Sequence, residues 1–341
     1  MKNLKFKRNG LILVMILSLV AFFSCDSDDD NNLEGQPPVI NSVSTAVGNE
    51  QTDVGFANNM YVIRGLGFAS TQKVFFNEVD TYFNATLVTD KVIIVQIDED
   101  TPYIDTTNEL KVVTANGTAT YPFIVAPPAP RLKSFNPVNA ADGETITIYG
   151  SFFIDPVVTV GGVEVEVLNL SINEFQIVLP SGSDREYISV ETISGNSVSQ
   201  YAIGTAIYDD IWYDGWDIES WNNQEYITNG DAAQGLTYFK KDMTGWDNIQ
   251  GNWSWNDQLE GYSGIRFSVR ADEPGKLKFV FNGNWDDATA PNFDVTTEWV
   301  QQEFTWEELQ NATFVQNISF QEYTGNGGVY HFDNFGYVLE E

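Results

Sequence analysis

The amino-acid sequence predicts an all-β protein built from consecutive β-sandwich domains. Apolar and polar residues alternate over short runs that Gly, Asn and Pro bound, which is typical of half-buried strands. Two sets of such runs repeat along the chain, and the region after them holds every tryptophan. With 341 residues, 43% of them hydrophobic, the chain is long enough for two or three domains with their own cores.

Charge and rare residues exclude several classes of function. The chain has 17 Lys and Arg against 48 Asp and Glu, a formal net charge of −31. Such an acidic surface repels phosphate backbones, so we expect no nucleic-acid partner. A single Cys excludes a disulfide framework, and a single His leaves little imidazole chemistry. The fold must therefore depend on its hydrophobic cores.

The first 24 residues have the pattern of a lipoprotein signal peptide, 1–24. A basic start precedes an apolar run, Leu11 to Phe23, which is too short to span a bilayer as a helix. The run ends at Cys25 in a sequence that resembles a bacterial lipobox, which implies acylation of this cysteine. Ordinary signal-peptide cleavage beside an incidental cysteine is the less favoured alternative. An acidic, non-folding tether follows at 25–36 and resembles an export signal, which implies an outer-membrane lipoprotein that faces the exterior.

Two segments, 37–128 and 129–206, share one order of features. In each, an alternating strand ends in a central glycine, Gly65 or Gly150, and these glycines lie 85 residues apart. This separation suits a compact β-sandwich. The proline-flanked opening, the glycine-ended strand and the closing hairpin resemble the TIG/IPT branch of immunoglobulin-like (Ig-like) domains. Domains of that branch that bind DNA use basic loops, which this chain lacks, so we expect two spacer domains.

The last segment, 207–341, carries all nine tryptophans. Some of them must be structural: Trp299 begins an alternating run and is predicted to face inward. Four elements in order resemble jelly-roll carbohydrate-binding modules, namely Ile207 to Asp210, Tyr262 to Val269, Thr297 to Phe304 and Val329 to Phe335. The resemblance implies a β-sandwich jelly roll that binds glycan by itself.

The whole arrangement resembles the surface glycan-binding lipoproteins of starch-utilisation-type (Sus-like) systems. This resemblance implies a lipid anchor, two Ig-like spacers and a distal module that captures a polysaccharide. Partner proteins, among them a SusC/SusD-like transporter complex, would then take up or degrade the glycan. No catalytic residue is expected.

Aromatic residues, above all tryptophan, are the candidates for glycan binding, because a flat indole covers the apolar face of a pyranose ring. Neighbouring Asp, Asn and Gln then hydrogen-bond the hydroxyls. The resemblance and the exposed position of Trp285 in a polar loop give six candidates: Trp246, Trp285, Trp221, Tyr323, Trp253 and Trp255. Trp253 and Trp255 point the same way and form either a ligand platform or a core pair.

A structural calcium ion is a further expectation from the resemblance. Asp209, Asp210 and Asp333 would lie on adjoining strands if the domain closes as a jelly roll, and carboxylates are hard ligands that suit Ca²⁺. The alternative is that these acids are solvated strand ends. His331 stands alone, so a structural or surface role is expected for it.

Two other functions stay open alongside glycan capture. A surface adhesin that binds a protein partner would also use exposed tryptophans. A glycoside hydrolase needs two carboxylates at a defined separation, which sequence spacing does not reveal. For the glycan itself, few cations argue against an anionic polymer, so a neutral β-glucan is expected.

Overall fold

The structure is a computed structural model that describes residues 35–251 and 257–340. Strands dominate these residues, and the helical elements among them are two single-turn 3₁₀ helices. The chain divides into two compact units, one ending at Ala126 and the other beginning at Pro127. No helix in the described ranges is long and apolar enough to cross a membrane.

The first unit is a β-sandwich. Its elements are β1 (Val39–Thr45), β2 (Val54–Phe56), β3 (Met60–Leu66), β4 (Thr71–Phe76), β5 (Val79–Thr81), η1 (Ala85–Leu87), β6 (Val92–Gln96), β7 (Glu109–Thr114), β8 (Gly117–Pro122) and β9 (Ile124–Ala126). One sheet has the order β1-β3-β6 and the other β5-β4-β7-β8, while β2 pairs in parallel with β9. Alternate residues such as Ile63 and Val112 face a common core and are fully buried.

The second unit opens with a sandwich of the same topology. Its strands are β10 (Arg131–Asn136), β11 (Thr145–Ser151), β12 (Val157–Val160), β13 (Val163–Val165), β14 (Glu174–Val178), β15 (Ile188–Thr192) and β16 (Gly195–Val198). The sheets β10-β11-β14 and β13-β12-β15-β16 repeat the strand order of the first sandwich. Their core includes Phe135, Ile148 and Val190.

The two central glycines occupy equivalent places in the two sandwiches. A Cβ on Gly65 would lie 1.9 Å from the carbonyl oxygen of Val39, and a Cβ on Gly150 would lie 2.0 Å from that of Arg131. In both sandwiches a phenylalanine three residues later packs onto the glycine, with its Cζ 2.4 Å from the Cβ position. Only glycine permits this close approach beside the bulged first strand.

The C-terminal module completes the second unit. Its elements are β17 (Ala206–Tyr208), η2 (Ser220–Asn222), β18 (Glu225–Thr228), β19 (Thr237–Met243), β20 (Asn248–Gln250), β21 (Asp257–Gln258), β22 (Tyr262–Ala271), β23 (Gly275–Phe281), β24 (Asn292–Val295), β25 (Val300–Thr305), β26 (Phe314–Val315), β27 (Ile318–Glu322) and β28 (Gly328–Leu339). A six-stranded sheet has the order β18-β19-β28-β22-β25, with β17 beside β28. A four-stranded sheet has the order β20-β27-β23-β24, and β21 pairs with β26.

Both large sheets of the module contribute to one core rich in phenylalanine. Phe267 and Phe332 come from the six-stranded sheet, and Phe279 and Phe320 come from the four-stranded sheet. The ring centroids of Phe267 and Phe320 lie 4.8 Å apart, edge to face, which is a favourable aromatic geometry. The predicted all-β class is confirmed: the described residues form two β-sandwiches followed by a third domain of two large sheets.

Trp299 does not face this core, so the prediction that it points inward is wrong. It precedes β25, in which Phe304 packs against the core. A residue five positions before Phe304 points to the opposite side of the sheet, because side chains alternate along a strand. There the Trp299 ring covers the guanidinium of Arg270, 4.9 Å from the ring centroid, and its Nε1 donates to the carbonyl of Asp231 at 2.7 Å.

Candidate functional site

The outer face of the four-stranded sheet of the C-terminal module is the candidate site. Ile249, Phe279 and Phe320 point inward from this sheet, so the residues between them point outward. The strand register aligns four outward polar residues in one row across all four strands: Asn248, Gln321, Lys278 and Asn292. The row offers amide donors and acceptors for a hydroxylated ligand.

Two of the predicted rings flank one end of this row. Trp246 lies two residues before Asn248, in the turn that leads into β20, and Tyr323 directly follows β27, two residues after Gln321. Their centroids are 5.5 Å apart with planes at 86°, an edge-to-face pair. The Trp246 side chain is 56% exposed, which makes its ring available to a ligand.

Lys278 contacts a third predicted ring, that of Trp285, as well as the ring of Tyr323. Its Nζ lies 5.0 Å from the Tyr323 ring centroid and 6.0 Å from that of Trp285, and it donates to the Trp285 carbonyl at 3.2 Å. The same Nζ lies 2.7 Å from Oδ1 of Asp287. With a side chain only 5% exposed, Lys278 lies beneath the two rings as a positioning group.

Asp287 connects this lysine to the hydroxyl of Tyr323. Its hydrogen bonds from Lys278 and Tyr323 hold the pKa of the Asp287 carboxyl below its usual range. The same bond to Asp287 raises the pKa of the Tyr323 hydroxyl, which therefore stays protonated and donates. Neither Lys278 nor Asp287 is predicted as a site residue from the sequence. For Lys278, the position of a lysine inside the apolar run of β23 is a signal that could have pointed to a functional role.

Glu322 fixes the turn that presents Trp246. Trp246 has a φ of +67°, a left-handed conformation that is uncommon for a bulky residue. Oε2 of Glu322 accepts the backbone N–H groups of Trp246 at 2.9 Å and Gly325 at 3.0 Å, and Oε1 accepts that of Thr324 at 2.7 Å. Burial alone would raise the pKa of Glu322, but these hydrogen bonds lower it below its ordinary value.

Trp221 lies at the edge of the same sheet. It belongs to η2, where the side chain of Asn222 exchanges two hydrogen bonds with the backbone of Gln250, at 2.9 and 3.0 Å. This contact places η2 beside the end of β20, whereas Trp246 precedes its start. Trp221 is 57% exposed. Trp253 and Trp255 lie outside the described residues.

The three acids predicted to bind calcium do not belong to this face. Asp209, Asp210 and Asp333 lie where the C-terminal module meets the second sandwich, and each accepts hydrogen bonds from N–H groups. Within residues 35–251 and 257–340, no group of three or more His, Cys, Asp or Glu side chains is placed to hold a metal ion. Calcium binding by these acids stays a prediction, and their hydrogen bonds to N–H groups argue against it.

His331 lies on the outer face of the six-stranded sheet. Its Nε2 is 2.8 Å from Oδ1 of Asp272, and its ring packs near Tyr238. Burial lowers the pKa of His331, although the bond to Asp272 opposes this shift. The contacts give His331 a packing role in the sheet.

Comparison with known proteins places part of the chain in a family. Residues 130–203 match the IPT/TIG domain family, so the predicted IPT/TIG domain is confirmed for these residues. An IPT/TIG domain-containing protein of Bacteroides ovatus is 30% identical over an alignment of 154 residues, and the match covers 42% of this chain and 30% of that relative. The chain thus spans less than a third of the length of this relative.

The solved structures that the chain matches include two surface glycan-binding proteins. One is PbSGBP-B from Prevotella bryantii, with 14% identity, a TM-score of 0.49, and coverage of 89% of this chain and 99% of that one. The other is SGBP-B from a complex xyloglucan utilization locus in Bacteroides uniformis, with 16% identity, a TM-score of 0.37 and coverage of 89% and 99%. The predicted resemblance to proteins of this kind is confirmed as a resemblance.

Proposed function

We propose that this protein captures a polysaccharide at the cell surface through the outer face of the four-stranded sheet in its C-terminal module. The observation that carries the proposal is the arrangement of Trp246, Tyr323 and Trp285 around one row of polar side chains. Aromatic rings pack on the C–H face of a sugar ring, and the amides of Asn248 and Gln321 lie beside them to bond its hydroxyls.

The charge of the face favours a neutral glycan, and a β-glucan is the proposed class. Lys278, the cation at the centre of the row, is already paired with Asp287 and covered by rings. A chain with a net charge of −31 also repels sulfated and uronate polymers over a distance. Binding is therefore expected to depend weakly on ionic strength.

The same contacts favour binding over glycoside hydrolysis. Hydrolysis needs a pair of carboxyl groups that serve as acid and as base or nucleophile. Asp287 at this face is engaged by Lys278, and Glu322, on the same side of β27 as the inward Phe320, accepts backbone N–H groups with both oxygens. Both carboxyls thus serve to position rings and turns.

The location of the protein and its partners are proposals that rest on the sequence. Cys25 would carry the lipid that anchors the protein to the outer membrane, facing the exterior. From there it would deliver glycan to a SusC/SusD-like transporter complex. Cys25 and the tether up to residue 34 lie outside the described residues.

Affinity gel electrophoresis against a panel of polysaccharides tests the function. We expect a neutral β-glucan to retard the wild-type protein without release of sugar, and to retard Trp246→Ala much less. Tyr82→Ala, which removes an 82% exposed ring in the first sandwich, is the matched control and should behave as wild type. Released oligosaccharide would indicate an enzyme, and no retardation by any glycan would favour an adhesin. Retardation only by an anionic glycan, lost at high salt, would refute the neutral ligand.

A further inference from the structure

Three aspartates at the junction of the second sandwich and the C-terminal module direct all six of their oxygens toward N–H groups. In Asp209 and Asp333, one oxygen accepts the backbone N–H of the following residue, at 2.9 and 2.7 Å. The other oxygen accepts the backbone N–H of Val138 at 2.6 Å for Asp209 and of Gln234 at 2.9 Å for Asp333. Both side chains are fully buried.

Asp210 makes the same kind of contacts. Its Oδ1 accepts the backbone N–H groups of Leu236 and Thr237, both at 2.6 Å. Its Oδ2 accepts Nδ2 of Asn136 at 2.6 Å. Val138 and Asn136 belong to the second sandwich, whereas Asp209 and Asp210 belong to the module, so two of the three carboxylates bond directly across the junction.

Asp333 acts across the junction through Gln234. The Gln234 side chain is fully buried, donates to the carbonyl of Phe135 and accepts the hydroxyl of Tyr201, both in the second sandwich. The guanidinium of Arg266, in the module, lies over the Tyr201 ring, 4.4 Å from the ring centroid. Separating the two domains would be costly, because each bond broken between Gln234 and the second sandwich would leave a desolvated group unpaired.

This arrangement does not fit a calcium ion. Calcium takes six to eight oxygen ligands at about 2.3–2.6 Å. Here the carboxylate oxygens face N–H groups, whose positive ends would repel a cation. We propose that Asp209, Asp210 and Asp333 act as a calcium-independent latch that joins the second sandwich and the C-terminal module into one rigid unit.

Scanning calorimetry of the full chain tests the latch first without any variant. In millimolar calcium and in excess chelator we expect the same melting temperature for the 127–341 unit, since no ion is bound. A calcium site would raise the melting temperature with calcium concentration. A calcium-dependent rise that disappears in Asp333→Asn would overturn the proposal.

Amide hydrogen exchange tests the bonds themselves. In Asp209→Asn, the side chain keeps a single acceptor oxygen, so it loses the bond from either the Val138 or the Asp210 amide, and one of these two amides should exchange at least about tenfold faster than in the wild type. The matched control, Asp294→Asn, changes an exposed acid on β24 and should leave Val138 protected. Unchanged exchange of both the Val138 and the Asp210 amides in Asp209→Asn would refute the latch. If Asp209→Asn fails to fold, the exchange of the wild-type Val138 and Gln234 amides decides: rapid exchange of both contradicts the proposal, and protection supports it.

Discussion

Replacing Trp246 by Ala and by Gly separates what the ring does for binding from what the backbone contributes to stability. The ring is more than half exposed and contacts Tyr323 at its edge. The backbone of Trp246 is left-handed, with a φ of +67°, and is held there by Glu322. The Ala variant loses the ring but still places a Cβ in the unfavourable left-handed conformation. The Gly variant loses the ring and adopts the same conformation without that cost.

The structure sets the size of each effect. Loss of an aromatic platform should weaken glycan binding by about 1–3 kcal/mol, by analogy with base stacking, which is roughly 5- to 100-fold in Kd. Both variants lose the pair with Tyr323, about 0.5–1.5 kcal/mol of folding stability. The left-handed conformation disfavours Ala by about 1–2 kcal/mol relative to Gly. Trp246→Gly should therefore be the more stable variant, with a Tm about 2–8 °C higher.

Titration calorimetry with the best polysaccharide and thermal unfolding of the same samples measure these quantities. We expect both variants to lose affinity equally and to differ only in Tm. Wild-type affinity in either variant would show that Trp246 is not a platform. Equal melting temperatures for Ala and Gly would contradict the backbone argument.

Three further predictions concern the supports of the face and of the fold. Lys278→Met should keep the fold, because the freed Asp287 is 70% exposed, but should weaken binding about 2- to 30-fold by releasing two rings, measured by calorimetry. Glu322→Gln should destabilise the Trp246 turn by about 3 kcal/mol. Because hydrogen bonds lower the pKa of Glu322 despite its burial, the wild type should itself lose part of this stability as the pH falls below about 4.5, which thermal unfolding against pH follows. Gly150→Ala should destabilise the second sandwich by about 3 kcal/mol in denaturant unfolding, whereas Gly143→Ala, in open space, should cost about 1 kcal/mol.

The sequence predicts the sandwiches because their determinants are local. Alternation within each strand and the glycines at positions 65 and 150 recur in order, and a bulged edge with no room for a Cβ explains both glycines. The site is less predictable, because it depends on the pairing of strands far apart in the chain. Lys278 and Gln321 are 43 residues apart and meet only through the register of β23 and β27. The prediction for Trp299 is wrong because an alternating run does not show by itself which of its two faces points inward. In the structure the face of Phe304 points inward, and Trp299 lies on the other face.

The junction within the second unit shows the same limit and leads to a last prediction. The bonds from Asp209 to Val138 and from Gln234 to Phe135 span 71 and 99 residues, so no local pattern encodes them. From the sequence, 207–341 is expected to bind glycan by itself. In the structure, such a fragment would expose Arg266, which is 1% exposed in the whole chain, and would lose the bonds of Asp209 to Val138 and of Asp210 to Asn136.

We therefore expect residues 127–341, expressed as one piece, to keep the full glycan affinity, and residues 35–126 to bind none. The fragment 207–341 should melt at a lower temperature than 127–341, because it loses the bonds across the junction and uncovers a buried guanidinium. Calorimetric titration and thermal unfolding of the three fragments measure both effects. Binding of the same glycan to the fragment 35–126 would contradict the assignment of binding to the C-terminal module. Equal melting temperatures for 207–341 and 127–341 would show that the junction contributes nothing to the stability of the module.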